Sequence, residues 1–147
     1  MAKNRMGLQF DGWEETITKL NSLAGNGGTA KAVEEALASS KEYVNEKIDK
    51  AVVSASLPAK GRYSIGGTRK SINRDSEVQW QGQTAGIKVG FDFKKSGTTS
   101  IFLMYGTPKM KPAKGLKAAI YGTKTRKEIA EIQSEIISKH IKKVMEG

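Results

Sequence analysis

The feature that most constrains this chain is a stripe of apolar and small side chains spaced by four and three: Val33, Leu37, Ser40, Val44, Ile48, Ala51 and Ala55. That spacing places them on one face of an α-helix. Glu34, Glu35, Lys41, Glu42, Glu46, Lys47 and Lys50 fall largely off the stripe. No glycine or proline interrupts Thr29 to Ser54, so the pattern predicts one helix capped by Thr29, almost 40 Å long at about 1.5 Å per residue. In a chain of 147 residues such a helix is a spine against which the other elements pack.

The elements around it follow from local signals. Met6 to Phe10 reads as a short strand. DGWE opens a first helix with Asp11 as cap and Glu14 three residues on. Trp13, Ile17, Leu20 and Ala24 share its apolar face, and GNGG ends it. After the spine, the period changes to two. Val78 and Trp80 alternate with Glu77, Gln79 and Gln81. Beyond Gly82, Ala85, Ile87, Val89, Phe91 and Phe93 alternate with Gly86, Lys88, Gly90 and Asp92. That is an antiparallel hairpin, 77–81 and 85–93, with one apolar face, on which Trp80 and Phe91 read as core rather than as base-stacking platforms. Ile101 to Tyr105 is too short to separate a buried strand from a helical turn. Leu116 to Tyr121 is a short helix. Thr125 and Glu128 form a capping box that starts a last helix, with Ile129, Ile132, Ile136, His140 and Val144 on one face and Ile137 and Ile141 beside it. The expected fold is α+β in a single domain over residues 1–147: a small antiparallel sheet packed against the long amphipathic helix and the C-terminal helix.

Charge is distributed unevenly. The formal net charge is +10, which implies an anionic partner: nucleic acid, an acidic protein surface or a membrane face. Between Asp92 and Glu128 there is no acid, while Lys94, Lys95, Lys109, Lys111, Lys114, Lys117, Lys124, Arg126 and Lys127 fall inside that span. A second acid-free span, Leu57 to Arg74, holds Lys60, Arg62, Arg69, Lys70 and Arg74. Its 57–71 portion is rich in small residues and shows no period, so it reads as a mobile basic loop. Lysine dominates over arginine, which favours point-charge attraction over the reading of bases.

Chemistry-bearing constellations are sparse. With no cysteine and one histidine, the chain offers no disulfide framework and no thiolate metal site. His140 sits on the apolar face of the last helix with no nucleophile nearby in sequence, and reads as a partly buried or interface side chain. Asp75 and Glu77 share a strand face and read as solvated rather than as a cation site. IGGT and GNGG lack the strand, helix and Gly-Lys-Ser/Thr ending of a phosphate loop. No apolar run approaches the roughly 20 residues of a membrane helix, and MAKNRMGLQF lacks the apolar core of a secretory signal. The chain is therefore expected to be non-catalytic, without cofactor or metal and without a membrane partner.

The remaining stretch, FLMYGTPKMKPAKGLKAAIYG from Phe102 to Gly122, joins an apolar hook to lysines and prolines. With it, the chain resembles the head–tail joining, or tail-completion, proteins of long-tailed bacteriophages. The likeness runs over nearly the whole length: strand and helix, long amphipathic helix, glycine-bearing basic loop ending in Ser71-Ile72, hairpin, apolar turn ending in Gly-Thr, basic and proline-rich segment, and C-terminal helix. Tyr105, Gly106, Thr107, Pro108, Lys109, Met110, Pro112, Leu116 and Ala119 carry its most characteristic part. GRYSIGGT intervenes where the commoner pattern has a Thr-Gly after the proline.

What the resemblance implies is a structural part of the virion neck, found in the host cytoplasm during assembly. Such proteins act as rings, usually of about six copies, between a head-closure protein and a tail-terminator or tail-tube protein. DNA passes through the channel without sequence recognition. The expected interaction residues are Phe102, Leu103, Met104, Tyr105, Gly106, Thr107, Pro108, Lys109, Met110, Lys111 and Lys114, with Lys60, Arg62, Arg69 and Lys70 in the loop. The alternative is a basic nucleic-acid-binding protein, drawn from the charge alone.

Overall fold

The computed structural model describes residues 7–9, 26–55, 57–61, 64–82, 84–95 and 98–146. The expected helix from Asp11 to Ala24 and the loop residue Arg62 lie outside the described residues, as does the side chain of Val144.

The spine is present as α1, Asn26–Val53, 28 residues long. It starts three residues before the expected cap, and Gly27 and Gly28, expected to end a preceding helix, lie in its first turn. Once the alanine-rich turns that follow are packed, adding residues to a formed helix is easier than starting one, and glycine is tolerated at the end. Val33, Leu37, Ser40, Val44, Ile48 and Ala51 are all buried as the stripe requires. Ser40 satisfies its hydroxyl by donating to the Ala36 carbonyl at 2.7 Å. Ala32, Ala36 and Val52 are buried too, so α1 buries a band wider than one stripe and serves several neighbours.

On one side lies an antiparallel sheet in the order β1-β3-β2, built from β1 Gly7–Gln9, β2 Gln79–Gln81 and β3 Thr84–Lys88. Leu8 pairs with Ile87 and Trp80 with Ala85. Ala85 and Ile87 face the helix, and the buried alternation continues past the strand through Val89 and Phe91, which bridges to Ile72. On the other side α5, Thr123–Glu146, runs antiparallel to α1. Lys47 meets Glu128 and Glu35 meets His140, each at 2.7 Å, so the pairs rise on one helix as they fall on the other. The fold is thus α+β, with both the sheet and the C-terminal helix organised by the long helix.

Four local expectations are corrected. Trp80 is 39% exposed because β2 is an edge strand, and its indole N–H donates to Glu34 at 3.0 Å. Phe93 is 47% exposed because the extended run stops at Asp92, whose carboxylate accepts from the Lys94 N–H and turns the chain into the 3-10 segment Phe93–Lys95. Thr125 does not cap: α5 begins at Thr123, and the Thr125 hydroxyl donates instead to the Ala118 carbonyl at 2.9 Å. The 57–71 segment read as structureless contains α2, Ile65–Lys70, whose cap Ser64 accepts from the Gly67 N–H at 3.2 Å. A Ser immediately ahead of a helical run is a capping signal, masked here by the two glycines in the first turn.

Candidate interaction surface

The ambiguous apolar pentad is helical, as α3, Thr99–Tyr105. A helix of about two turns on the surface cannot bury all its sides, and this one divides cleanly. Leu103 and Met104 are 2% and 6% exposed, whereas Phe102 and Tyr105 are 47% and 62% exposed. Leu103 is therefore core rather than an interface anchor, and Met104 reaches the surface only as the floor of a groove. Ile101, not among the expected residues, joins the exposed set.

The segment after α3 is held in one shape. Gly106 takes a φ of +76°, and a Cβ there would come within 2.9 Å of both the Met110 carbonyl oxygen and Pro112. Only glycine fits both the dihedral and the space. Thr107 and Met110 exchange backbone hydrogen bonds at 2.8 and 3.1 Å, closing a tight turn over Pro108 and Lys109. The Ala113 N–H then returns to the Leu103 carbonyl at 2.6 Å. The chain passes into α4, Leu116–Tyr121, whose Leu116 and Ala119 are buried. Gly122 lets the chain fold tightly over the end of α4: its N–H donates to the Ala118 carbonyl at 2.9 Å, and a Cβ there would lie 2.3 Å from that oxygen.

Between the turn and α4 lies an open groove of about 620 Å³, lined by Met104, Tyr105, Pro112, Ala113, Lys117 and Tyr121 among others. A second, of about 530 Å³, continues beyond Ala118 and Gly122 toward Lys47, Lys50, Lys114 and Lys124. Lys109, Lys111, Lys114 and Lys117 are all exposed. The Lys117 ammonium sits 5.4 Å from the centre of the Tyr105 ring, within cation–π range. Sequence reasoning counted Lys117 in the basic span without setting it among the interaction residues, and missed Tyr121. Their i, i+4 spacing on a short helix was the available signal, since it puts both on one face.

The basic loop behaves differently. Lys60 and Lys70 are exposed, but Arg69 is forked onto Asp49 at 2.8 and 2.9 Å. Arg74 adds a contact to the same carboxylate at 3.1 Å and donates to the Arg69 carbonyl. The Arg69 hydrogen bond, helped by the charges of both arginines against a smaller opposing effect of burial, holds the Asp49 carboxyl below the ordinary aspartate range. The hook and the loop are not brought together. Lys47 lines the groove system and Asp49 holds the loop, and two residues along a helix is a rotation of about 200°.

The remaining candidates are plainly placed. The His140 ring N–H at Nε2 donates to Glu35. Asp75 contacts Lys95 at 3.8 Å, and neither Asp75 nor Glu77 is in a strand, since β2 begins at Gln79. Among the described residues no group of three or more His, Asp or Glu stands close enough to hold a metal ion, and no helix is long and apolar enough to cross a membrane. Compared with family models, with curated proteins and with solved structures, the chain finds no match.

Proposed function

We propose that this chain is a non-catalytic assembly protein: a ring subunit at the neck of a long-tailed bacteriophage particle, which completes the tail and joins it to the DNA-filled head. The observation that carries the reading is the hook. Ile101, Phe102 and Tyr105 stand exposed on a segment whose backbone is pinned on both sides, by Gly106 and by the bond from Ala113 to Leu103. Large apolar side chains displayed on a rigid support, rather than on a loose tip, are what protein interfaces use as anchors. The same segment carries the sequence likeness, at Tyr105 to Ala119. Its neighbours in the particle would be further copies of itself, a head-closure protein and a tail-terminator or tail-tube protein, with DNA passing through the channel.

The test is joining in vitro. Purified heads and tails from the same gene cluster, lacking this protein, should join when it is added. Mass-resolved chromatography should show a complex with the tail-end or head-closure protein. Absence of joining and of both complexes would remove the reading.

A second reading, a nucleic-acid-binding protein, draws on the unpaired cations of the hook and of the start of α5. Among the described residues Lys109, Lys111, Lys114, Arg126 and Lys127 make no ion pair. A dedicated binder using about half a dozen such charges would lose roughly three or more decades of DNA affinity over a fourfold rise in salt; a neck protein would bind DNA weakly throughout.

A further inference from the structure

The groove beside Tyr105 has an apolar floor and Lys117 in its wall; Lys109 and Lys111 line the adjoining pocket that shares Tyr105 and Pro112, and Lys114 lines the second groove beyond Gly115. We infer that the groove beside Tyr105 seats an acidic amphipathic segment of a partner protein, whose apolar side chains enter between Tyr105 and Tyr121 while its carboxylates meet Lys109, Lys111, Lys114 and Lys117. The inference rests on the reading of the hook as an assembly surface and names what that surface takes.

Three observations select this occupant. The first is charge. No acid occurs between Asp92 and Glu128, and the exposed lysines of the turn have no acidic partner among the described residues. Lys124, the next cation along, reaches Glu128 only at 4.0 Å. A bound segment that brings carboxylates satisfies cations the fold leaves unpaired. The second is the groove itself. Met104, Pro112, Ala113 and Ala118 give it an apolar lining, and the constraints at Gly106 and Gly122 form it before anything binds. A preformed apolar cleft rewards inserted side chains, which a phosphate backbone does not supply. The Tyr105 ring is, moreover, already approached by the Lys117 ammonium, so a nucleobase stacking there would have to displace it. The third concerns a second copy of the chain. At +10, a copy brings mostly cations. Several of its acids are engaged with its own side chains: Glu34 with Trp80, Glu35 with His140, Asp49 with Arg69 and Arg74, Glu135 with Lys139. Contacts between copies would then use other faces, and the groove is left for an acidic partner.

The experiment uses the full chain, isotope-labelled for NMR, and three fluorescein-labelled probes. One is a glutamate-rich amphipathic peptide of about four helical turns with Leu and Trp at three- and four-residue spacing. The second is the same peptide with Glu replaced by Gln. The third is a DNA duplex of about two turns. The acidic peptide should bind saturably and shift the resonances of Tyr105, Ala113, Ala118 and Tyr121. The Gln peptide should bind about tenfold or more weakly, as should the acidic peptide to Tyr105→Ala or to the Lys111→Glu, Lys114→Glu double variant. Lys60→Glu and Lys70→Glu should change nothing, and thermal melts should show all variants folded. Tyr105 is exposed enough that its truncation leaves the core intact. The inference is overturned if the acidic peptide fails to bind, or if Gln peptide and lysine variants bind it as well as the originals. It is equally overturned if duplex DNA or, with rising protein concentration, a second copy shifts these resonances in the peptide's place. Head–tail joining that depends on the hook, without peptide binding, would sink this inference and leave the neck reading. Peptide binding at the groove with joining unaffected by the same variants would do the reverse.

Discussion

Arg69 and Lys114 belong to the two basic, acid-free stretches of this chain, yet Arg69 is forked onto Asp49 while Lys114 has no acidic partner among the described residues. The stretches look alike in composition. They differ in which side of the long helix they meet. The loop falls against Asp49, which takes both Arg69 and Arg74. The hook falls near Lys47 and Lys50, where Lys47 is itself committed to Glu128. The arginines of the first stretch, Arg69 and Arg74, are spent on holding α2 in place, with Lys60 and Lys70 left exposed, whereas at the hook Lys109, Lys111 and Lys114 all remain available to a partner. A count of lysines and arginines cannot tell the two apart.

The comparison is broken most directly inside the hook. Leu103→Ala should cost about 2–5 kcal/mol of stability by urea unfolding, the range for deleting a buried leucine. Tyr105→Ala, two residues on, should stay within about 0.5 kcal/mol. Equal losses would mean that the exposed half of α3 is core as well.

Next in size is the turn. Gly106→Ala should cost about 1–3 kcal/mol, because φ is positive there and the new methyl would meet Met110 and Pro112. Joining of heads to tails should fall with it, since the turn sets the lysines of the groove. A variant as stable as the parent would show that the turn can relax.

Reversing Lys109, Lys111 and Lys114 to glutamate should leave the melting temperature nearly unchanged and slow association with the proposed neck partner by about tenfold at low salt, with the gap closing as salt rises. The same reversal at Lys60 and Lys70 should have a smaller effect. A reversal of that order would remove the distinction between hook and loop.

A smaller effect is expected from the loop clamp. In Asp49→Asn the amides of Thr68 and Ser71 should exchange faster, with only a slight loss of global stability, because the pairs are partly exposed. The sign with pH is set by the lowered Asp49 pKa. Its contribution is full above the ordinary aspartate value and is lost as pH falls through the lower folded value. Parent and variant should therefore differ at neutral pH and converge in acid below about pH 4. Divergence in acid would contradict the clamp. Smallest of all, His140→Gln should keep a donor for Glu35 and leave joining unchanged; any turnover of peptide or nucleic acid lost in that variant would refute the non-catalytic reading.

The spine and the core side of the sheet were legible in the sequence because one period extended over enough residues to leave a single solution. Val33 through Ala51 repeat over five turns, and Ala85 through Phe91 over four alternations, and both sets are buried. A period reports which face a residue is on. It does not report whether that face is covered, and this is why Trp80 and Phe93, in phase with buried neighbours, are exposed at an edge and past a strand end. Caps depend on competition in the same way. Thr125 and Glu128 have the spacing of a capping box, but Ala118 and Lys47 offer each a partner from another element, and no local rule contains those partners.

For the candidate site the division is sharper. The sequence by itself determined that an apolar, glycine-punctuated, lysine-rich segment exists between Ile101 and Tyr121, and that no acid lies within it to neutralise it. Only the tertiary structure decided that Leu103 turns inward, that Phe102 and Tyr105 turn out, and that Tyr121 arrives from the next helix to close a groove. A seven-residue helix packed along one side must expose the other. Which side is exposed follows from where α4 lies, and the position of α4 comes from its packing on the long helix and on α5.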